Sequence, residues 1–122
     1  MENDAAIINL AMNCMGVAVT IIDMDGKLLY YNKRAAEILD RKPEYIGKEI
    51  YSHHLLQSSN KKVESMIHDF EKGRVEPFRY KAKPYGKSIL VILAPLMKNN
   101  HCIGCVQSVM LQKEIDSFTN NQ

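Results

Sequence analysis

Residues 17–39, VAVTIID, MDG, KLLYYN and KRAAEIL in succession, leave a chain few ways to fold. Val17, Val19 and Ile21 alternate with Ala18, Thr20 and Ile22, and such a period of two, rich in β-branched residues, reads as a strand. Asp23-Met24-Asp25-Gly26 is turn chemistry: short acidic side chains bond their own backbone, and glycine adopts positive φ without a Cβ clash. Leu28–Tyr31 continues as a second strand, and the short link makes the pair a β-hairpin. Asn32 suits an N-cap, with its side-chain oxygen accepting an amide N–H from the first helical turn. Ala35, Ala36, Ile38 and Leu39 then give a short helix one apolar face. The rest of the chain must cover this unit.

Around it, Asn3 or Asp4 can cap a first helix running to about Asn13, which Met15-Gly16 breaks. Asp40–Gly47 has loop character, with Pro43 at the start of a single turn. Ser58, Ser59 and Asn60 are cap residues for a helix over Lys61–Lys72. Its Val63, Met66, Ile67 and Phe70 form one stripe, and Gly73 closes it. The period then returns to two. Phe78–Lys83, Ser88–Met97 and Cys102–Leu111 read as strands joined by short polar turns, and Gly104 marks a bulge or a close approach. Leu111, Ile115 and Phe118 fall at helical spacing before a polar tail.

Strands at both ends with short helices between them predict an α+β fold. The short links predict a five-stranded antiparallel sheet, the central helices on one face and the N-terminal helix at its flank. With 122 residues, one domain is expected. Lys plus Arg is 16 against 14 for Asp plus Glu, too even a balance to argue for nucleic acid or a membrane surface. No apolar run approaches the roughly 20 residues of a membrane span. The start of the chain lacks the basic segment of a signal peptide, and three cysteines argue for free thiols. The expectation is a cytoplasmic protein.

Gly16–Arg41 (GVAVTIIDMDGKLLYYNKRAAEILDR), the Ile46-Gly47 step, the helix ending Phe70-Glu71-Lys72-Gly73, the strand ending Ala94-Pro95-Leu96, and Gly104 together resemble the PAS domain family. The resemblance covers about residues 14–111. It implies residues 16–111 as the PAS domain, 1–15 as an N-terminal dimerisation helix and 112–122 as a C-terminal helix and tail. It further implies a sensory module of signal transduction, with a small-molecule ligand or cofactor in an interior pocket and a homodimer held through the first helix. Met110-Leu111-Gln112-Lys113 stands where many relatives carry an Asp-Ile-Thr signal.

The pocket is expected among Ile89, Val91 and Leu93 of the late strands, Met66 and Phe70 of the main helix, and His53 or His54. A neutral imidazole is a good haem ligand, and a subset of the family with a histidine before the main helix binds haem. The cofactor stays open: haem suits His53 or His54, with Met66, Met97 and Met110 as candidate axial partners, flavin as a redox cofactor has no positive support, and the want of the family's Asn-Cys-Arg-type motif disfavours blue-light photochemistry. The alternative is a ligand-free interaction module. Cys102-x-x-Cys105 suggests a thiol pair, but residues three apart in a regular strand face opposite ways, so one thiol is expected inward and the other outward. Arg79, Lys81 and Lys83 read as a solvated face, and Tyr30, Tyr31, Tyr80 and Tyr85 as packed on the sheet with their hydroxyls at its wet edge. Ile7, Ile8, Leu10, Ala11 and Met15 leave more apolar surface than one packing stripe needs, which predicts a homodimer interface. Without a phosphate loop, nucleophile elbow, carboxylate pair or metal quartet in the sequence, no enzyme activity is expected.

Overall fold

A computed structural model describes residues 3–50 and 57–120, with the side chains of 57–60 and 119–120 left aside. The order is helix α1 (Asp4–Asn13), strands β1 (Ala18–Asp23) and β2 (Leu28–Tyr31), helix α2 (Lys33–Leu39), helix α3 (Gln57–Glu71), strands β3 (Phe78–Ala82), β4 (Ile89–Lys98) and β5 (His101–Leu111), and helix α4 (Gln112–Asn120). Single 3₁₀ turns sit at Pro43–Tyr45 and Pro84–Gly86. The five strands form one antiparallel sheet, as the sequence predicts, and the structure gives their order as β2-β1-β5-β4-β3.

The local chemistry explains the joints. Asp23 Oδ1 accepts the N–H groups of Asp25 and Lys27 at 2.9 Å, and Gly26 takes φ 82°, so the first hairpin turns where expected. Asn99 and Asn100 both hold positive φ (52° and 67°), which suits the tight hairpin between β4 and β5. At the end of α3, Gly73 N–H donates to the Phe70 carbonyl and Arg74 N–H to the Asp69 carbonyl, the double bond of a glycine-closed helix end. That helix begins one turn earlier than its cap chemistry suggested. Ser58, Ser59 and Asn60 are helical residues inside it, not caps, because the helix starts at Gln57.

Asn32 is the hub of the N-terminal half. It is fully buried. Its Oδ1 accepts from Ala35 N–H at 3.0 Å, capping α2, and from Val19 N–H at 2.9 Å in β1. Its Nδ2 donates to the Met12 and Val17 carbonyls at 2.8 and 3.0 Å, which ties α1 and the following link to the same point. At the other end of the chain, an ion pair between Arg34 and Glu114 fastens α4 to α2.

The core divides into two clusters on the helix-covered face. One holds Ile22, Leu28, Ile50, Val63, Met66, Ile67, Phe70, Leu93 and Cys105. The other holds Ala18, Ala35, Ile38, Ile89, Val91 and Val109. In β1 it is therefore Ala18, Thr20 and Ile22 that face inward, a choice the alternation alone leaves open. Gly104 is the predicted close approach: a Cβ there would lie 2.3 Å from the Ile22 carbonyl oxygen.

Candidate functional site

Between the two apolar clusters the inner face of the sheet turns polar. Thr20 of β1 pairs in register with Tyr31 of β2 on one side and Gln107 of β5 on the other. Tyr31 and Tyr80 each pack against both clusters, so they mark the boundary. Over this row lies Arg41. It follows Asp40, whose left-handed backbone (φ 55°, ψ 38°) ends α2 and turns the chain back across the sheet.

The Arg41 side chain is only 8% exposed. Its Nε donates to Thr20 Oγ1 at 3.4 Å and its Nη2 to Gln107 Oε1 at 3.2 Å. Both bonds are long for N–H···O, and both acceptors are neutral. Among the described residues no carboxylate pairs with this guanidinium, whereas the more exposed Arg34 has Glu114 and Glu37. Arginine does not escape burial by losing its proton, and a buried charge without a counter-charge costs several kcal/mol. Burial lowers the Arg41 pKa from its ordinary value, and the Tyr85 and Tyr80 phenols oppose that. Burial raises the Tyr80 pKa, while the neighbouring Gln107 side chain and the Arg41 charge pull it down. From the solvent side, exposed Lys62 places its Nζ 4.4 Å from the centre of the Tyr80 ring. Arg41 thus puts one positive charge inside an otherwise apolar interior.

The expected pocket residues meet this centre from two sides. Met66, Phe70 and Leu93 belong to one cluster, and Ile89 and Val91 to the other, all buried. His53 and His54 lie outside the described residues, so the haem reading has no placed iron ligand. Of its candidate partners, Met66 faces the core, Met97 is exposed, and Met110 sits beside inward Val109 on the alternate face. The remaining histidines, His68 and His101, are exposed. Tyr80 packs on the sheet as expected, but Tyr85 needs correction: it is 53% exposed on the Pro84–Gly86 turn instead of packed on the sheet. Arg41, Thr20 and Gln107 carry no motif. Only the alternation of β1 and β5 signals the latter two, and a loop arginine gives no sign of turning inward.

The cysteine expectation is also corrected. Leu96 pairs with Gly104 but Met97 with Cys102, so Ile103 is an extra residue bulged out of the ladder. The bulge reverses the alternation. Cys102 packs against the same cluster that contains Cys105, instead of pointing away, and its Sγ is 3.5 Å from Met24 Sδ. Burial, and then the neighbouring Cys102, push the Cys105 thiol up to about 12. That is the opposite of the activation a redox thiol needs.

The α1 surface is the second candidate site. None of its residues is buried. Ile7, Ile8, Leu10 and Met15 are 45, 62, 58 and 42% exposed, and Ala11 is exposed beside them. The helix is nonetheless anchored: the Met12 carbonyl accepts from Asn32 Nδ2, and Asn13 Oδ1 accepts from Lys33 N–H at the start of α2. It presents an apolar surface from a fixed base.

The PAS domain family model matches residues 8–110, and this chain belongs to that family. PAS domains are, in general, sensory modules of signal transduction. Solved structures agree on the fold. A C-terminal domain from Streptococcus mutans superposes with a TM-score of 0.76 at 21% identity, covering 93% of this chain and 89% of that one. The PAS domain of BvgS from Bordetella pertussis gives 0.70 at 11%, covering 98% and 96%. A PAS domain from Colwellia psychrerythraea gives 0.69 at 13%, covering 92% and 99%. Among curated proteins, none matches this chain. No helix among the described residues is long and apolar enough to cross a membrane.

Proposed function

We propose that this PAS domain is a cytoplasmic sensor that binds a small molecule on the inner face of its sheet, works as a homodimer through α1, and acts by binding without catalysis of its own. One observation carries the ligand reading. The centre of the inner face, where apolar packing would be cheapest, holds Arg41 with Thr20, Gln107 and Tyr80 around it. Polar groups converging between apolar walls are the usual make-up of a small-molecule site. The exposed apolar residues of α1 support the dimer.

Native mass spectrometry of the protein as purified tests the ligand reading: a retained non-covalent mass supports it. An absorption spectrum after growth with a haem precursor, beside a His53→Ala/His54→Ala variant, tests the haem form. A Soret band lost in the variant assigns haem and its ligand. A protein without bound mass, colour or response to any added small molecule would instead be the interaction module, with α1 as its working surface.

A further inference from the structure

We propose that Met24, Cys102 and Cys105 form a binding site for a soft monovalent metal ion, Cu(I), held by two thiolates and one thioether. The site lies where the first hairpin turn meets the start of β5. It goes beyond the sensor reading above and does not depend on it.

Two features of the fold bring the three sulfurs together. Asp23, the last residue of β1, pairs with Gly104, so the turn that follows lays Met24 beside the first residues of β5. The bulge at Ile103 then turns Cys102 to the side of Cys105. Cys102 Sγ stands 3.5 Å from Met24 Sδ, and Cys105 is near enough for the Cys102 thiol to act on its titration. Met24 and Cys102 are partly exposed and Cys105 is buried, so an ion can enter from solvent and end among apolar residues.

Such an ion needs no cavity. It replaces the thiol proton of Cys102, which has Met24 Sδ at 3.5 Å and the Gly104 carbonyl oxygen at 3.2 Å as acceptors. With metal–sulfur bonds of about 2.3 Å, two sulfurs on one ion stand roughly 4 Å apart, so the Cys102–Met24 pair has to open by only about 0.5 Å. The donors also choose the ion. Thiolate and thioether are soft ligands and select Cu(I). A closed zinc site is built from four Cys, His or carboxylate ligands, and among the described residues no three of His, Cys, Asp and Glu gather at one point. Binding releases the protons of Cys102 and Cys105 to water and moves no electrons, since the copper enters and stays as Cu(I). The product carries one net negative charge. Gln107, two residues or about 7 Å further along β5, accepts from the buried Arg41, so the opposing charge is already in the interior.

The test titrates the whole reduced chain, free of oxygen, with Cu(I) supplied as its acetonitrile complex against the coloured chelator bathocuproine disulfonate. One equivalent per chain is expected to leave the chelator, with an ultraviolet thiolate-to-copper band and a higher melting temperature. Cys102→Ala and Cys105→Ala should each weaken binding by about 100-fold or more, beyond the roughly 10–100-fold that loss of an outer-shell partner costs. Met24→Leu, which keeps the packing volume, should weaken it at least about tenfold, the lower end of that range, with circular dichroism unchanged. Cys14→Ala removes the exposed thiol and should change nothing. Excess Zn(II) should displace no copper.

Copper that stays on the chelator overturns the inference. So does binding that survives Cys102→Ala, that disappears with Cys14→Ala, or that yields to Zn(II). Full affinity in Met24→Leu removes the thioether and overturns the three-sulfur site. A measurement on the unaltered chain covers the case of a variant that fails to fold: one equivalent of Cu(I) must block iodoacetamide labelling of Cys102 and leave that of Cys14 unchanged. Labelling of Cys102 at its copper-free rate overturns the site as well.

Discussion

Single residues hold the N-terminal half in place through hydrogen bonds that nothing else replaces. Asn32 is the strongest case, since its buried amide serves two donors and two acceptors from α1, β1 and α2. Asn32→Ala removes a cap worth about 1 kcal/mol and strands buried backbone groups at about 1–3 kcal/mol. A loss of about 3 kcal/mol is expected, seen as a lower urea midpoint with an unchanged m-value. Gly104 has a different reason to be what it is. Its backbone geometry is ordinary, but the Ile22 carbonyl occupies the space of a Cβ. Gly104→Ala must spread β1 from β5 and should cost about 2 kcal/mol, on the scale of other overpacked sites; an unchanged midpoint would show that the two strands separate freely there. Cys105 is inert by burial, so thiol labelling at pH 8 should modify exposed Cys14 rapidly and leave Cys105 intact until the protein unfolds.

The α1 helix is tied to the domain through Asn9, Met12 and Asn13 yet buries none of its residues. In the proposed homodimer this surface is covered by the partner's α1. Sedimentation should find a dimer, and Ile8→Glu with Leu10→Glu should return it to a monomer with the β-sheet circular dichroism retained. A monomer in the unaltered protein well above micromolar concentration would end the dimer reading. The α4 helix is held differently, through the Arg34–Glu114 pair and the Gln112 N–H bond to the Ser88 carbonyl. This links the C-terminal helix to α2, whose end delivers Arg41.

For the whole molecule, the buried thiol makes stability fall in alkali, and the sign follows from proton uptake. Cys105 has its pKa raised from 9.0 to about 12 on folding. Between these values the unfolded chain has lost a proton that the folded one keeps, so stability declines as pH rises through this window and the contribution is complete below it. The slope approaches 1.4 kcal/mol per pH unit at most, as an order of magnitude. Urea midpoints from pH 8 to 11 should therefore fall more steeply for the native chain than for Cys105→Ala; parallel curves would place that thiol in contact with water.

The sequence by itself determined the elements, their order and the turns between them. Those depend on side chains acting on their own neighbourhood: Asp23 on its turn, Asn32 on the helix it caps, Gly73 on the helix it closes, and the period of two along each strand. Only the tertiary structure decided which face of β1 turns inward, where the loop residue Arg41 ends up, and that Cys102 and Cys105 share a side. The first needs the helices that cover one face, the second a left-handed Asp40 and a sheet for Arg41 to lie across, and the third a single bulged residue at Ile103. Each is a relation between segments far apart in the chain, and the candidate site is built from such relations: Thr20, Arg41, Tyr80 and Gln107 come from four separate segments and are brought to one point by the sheet order.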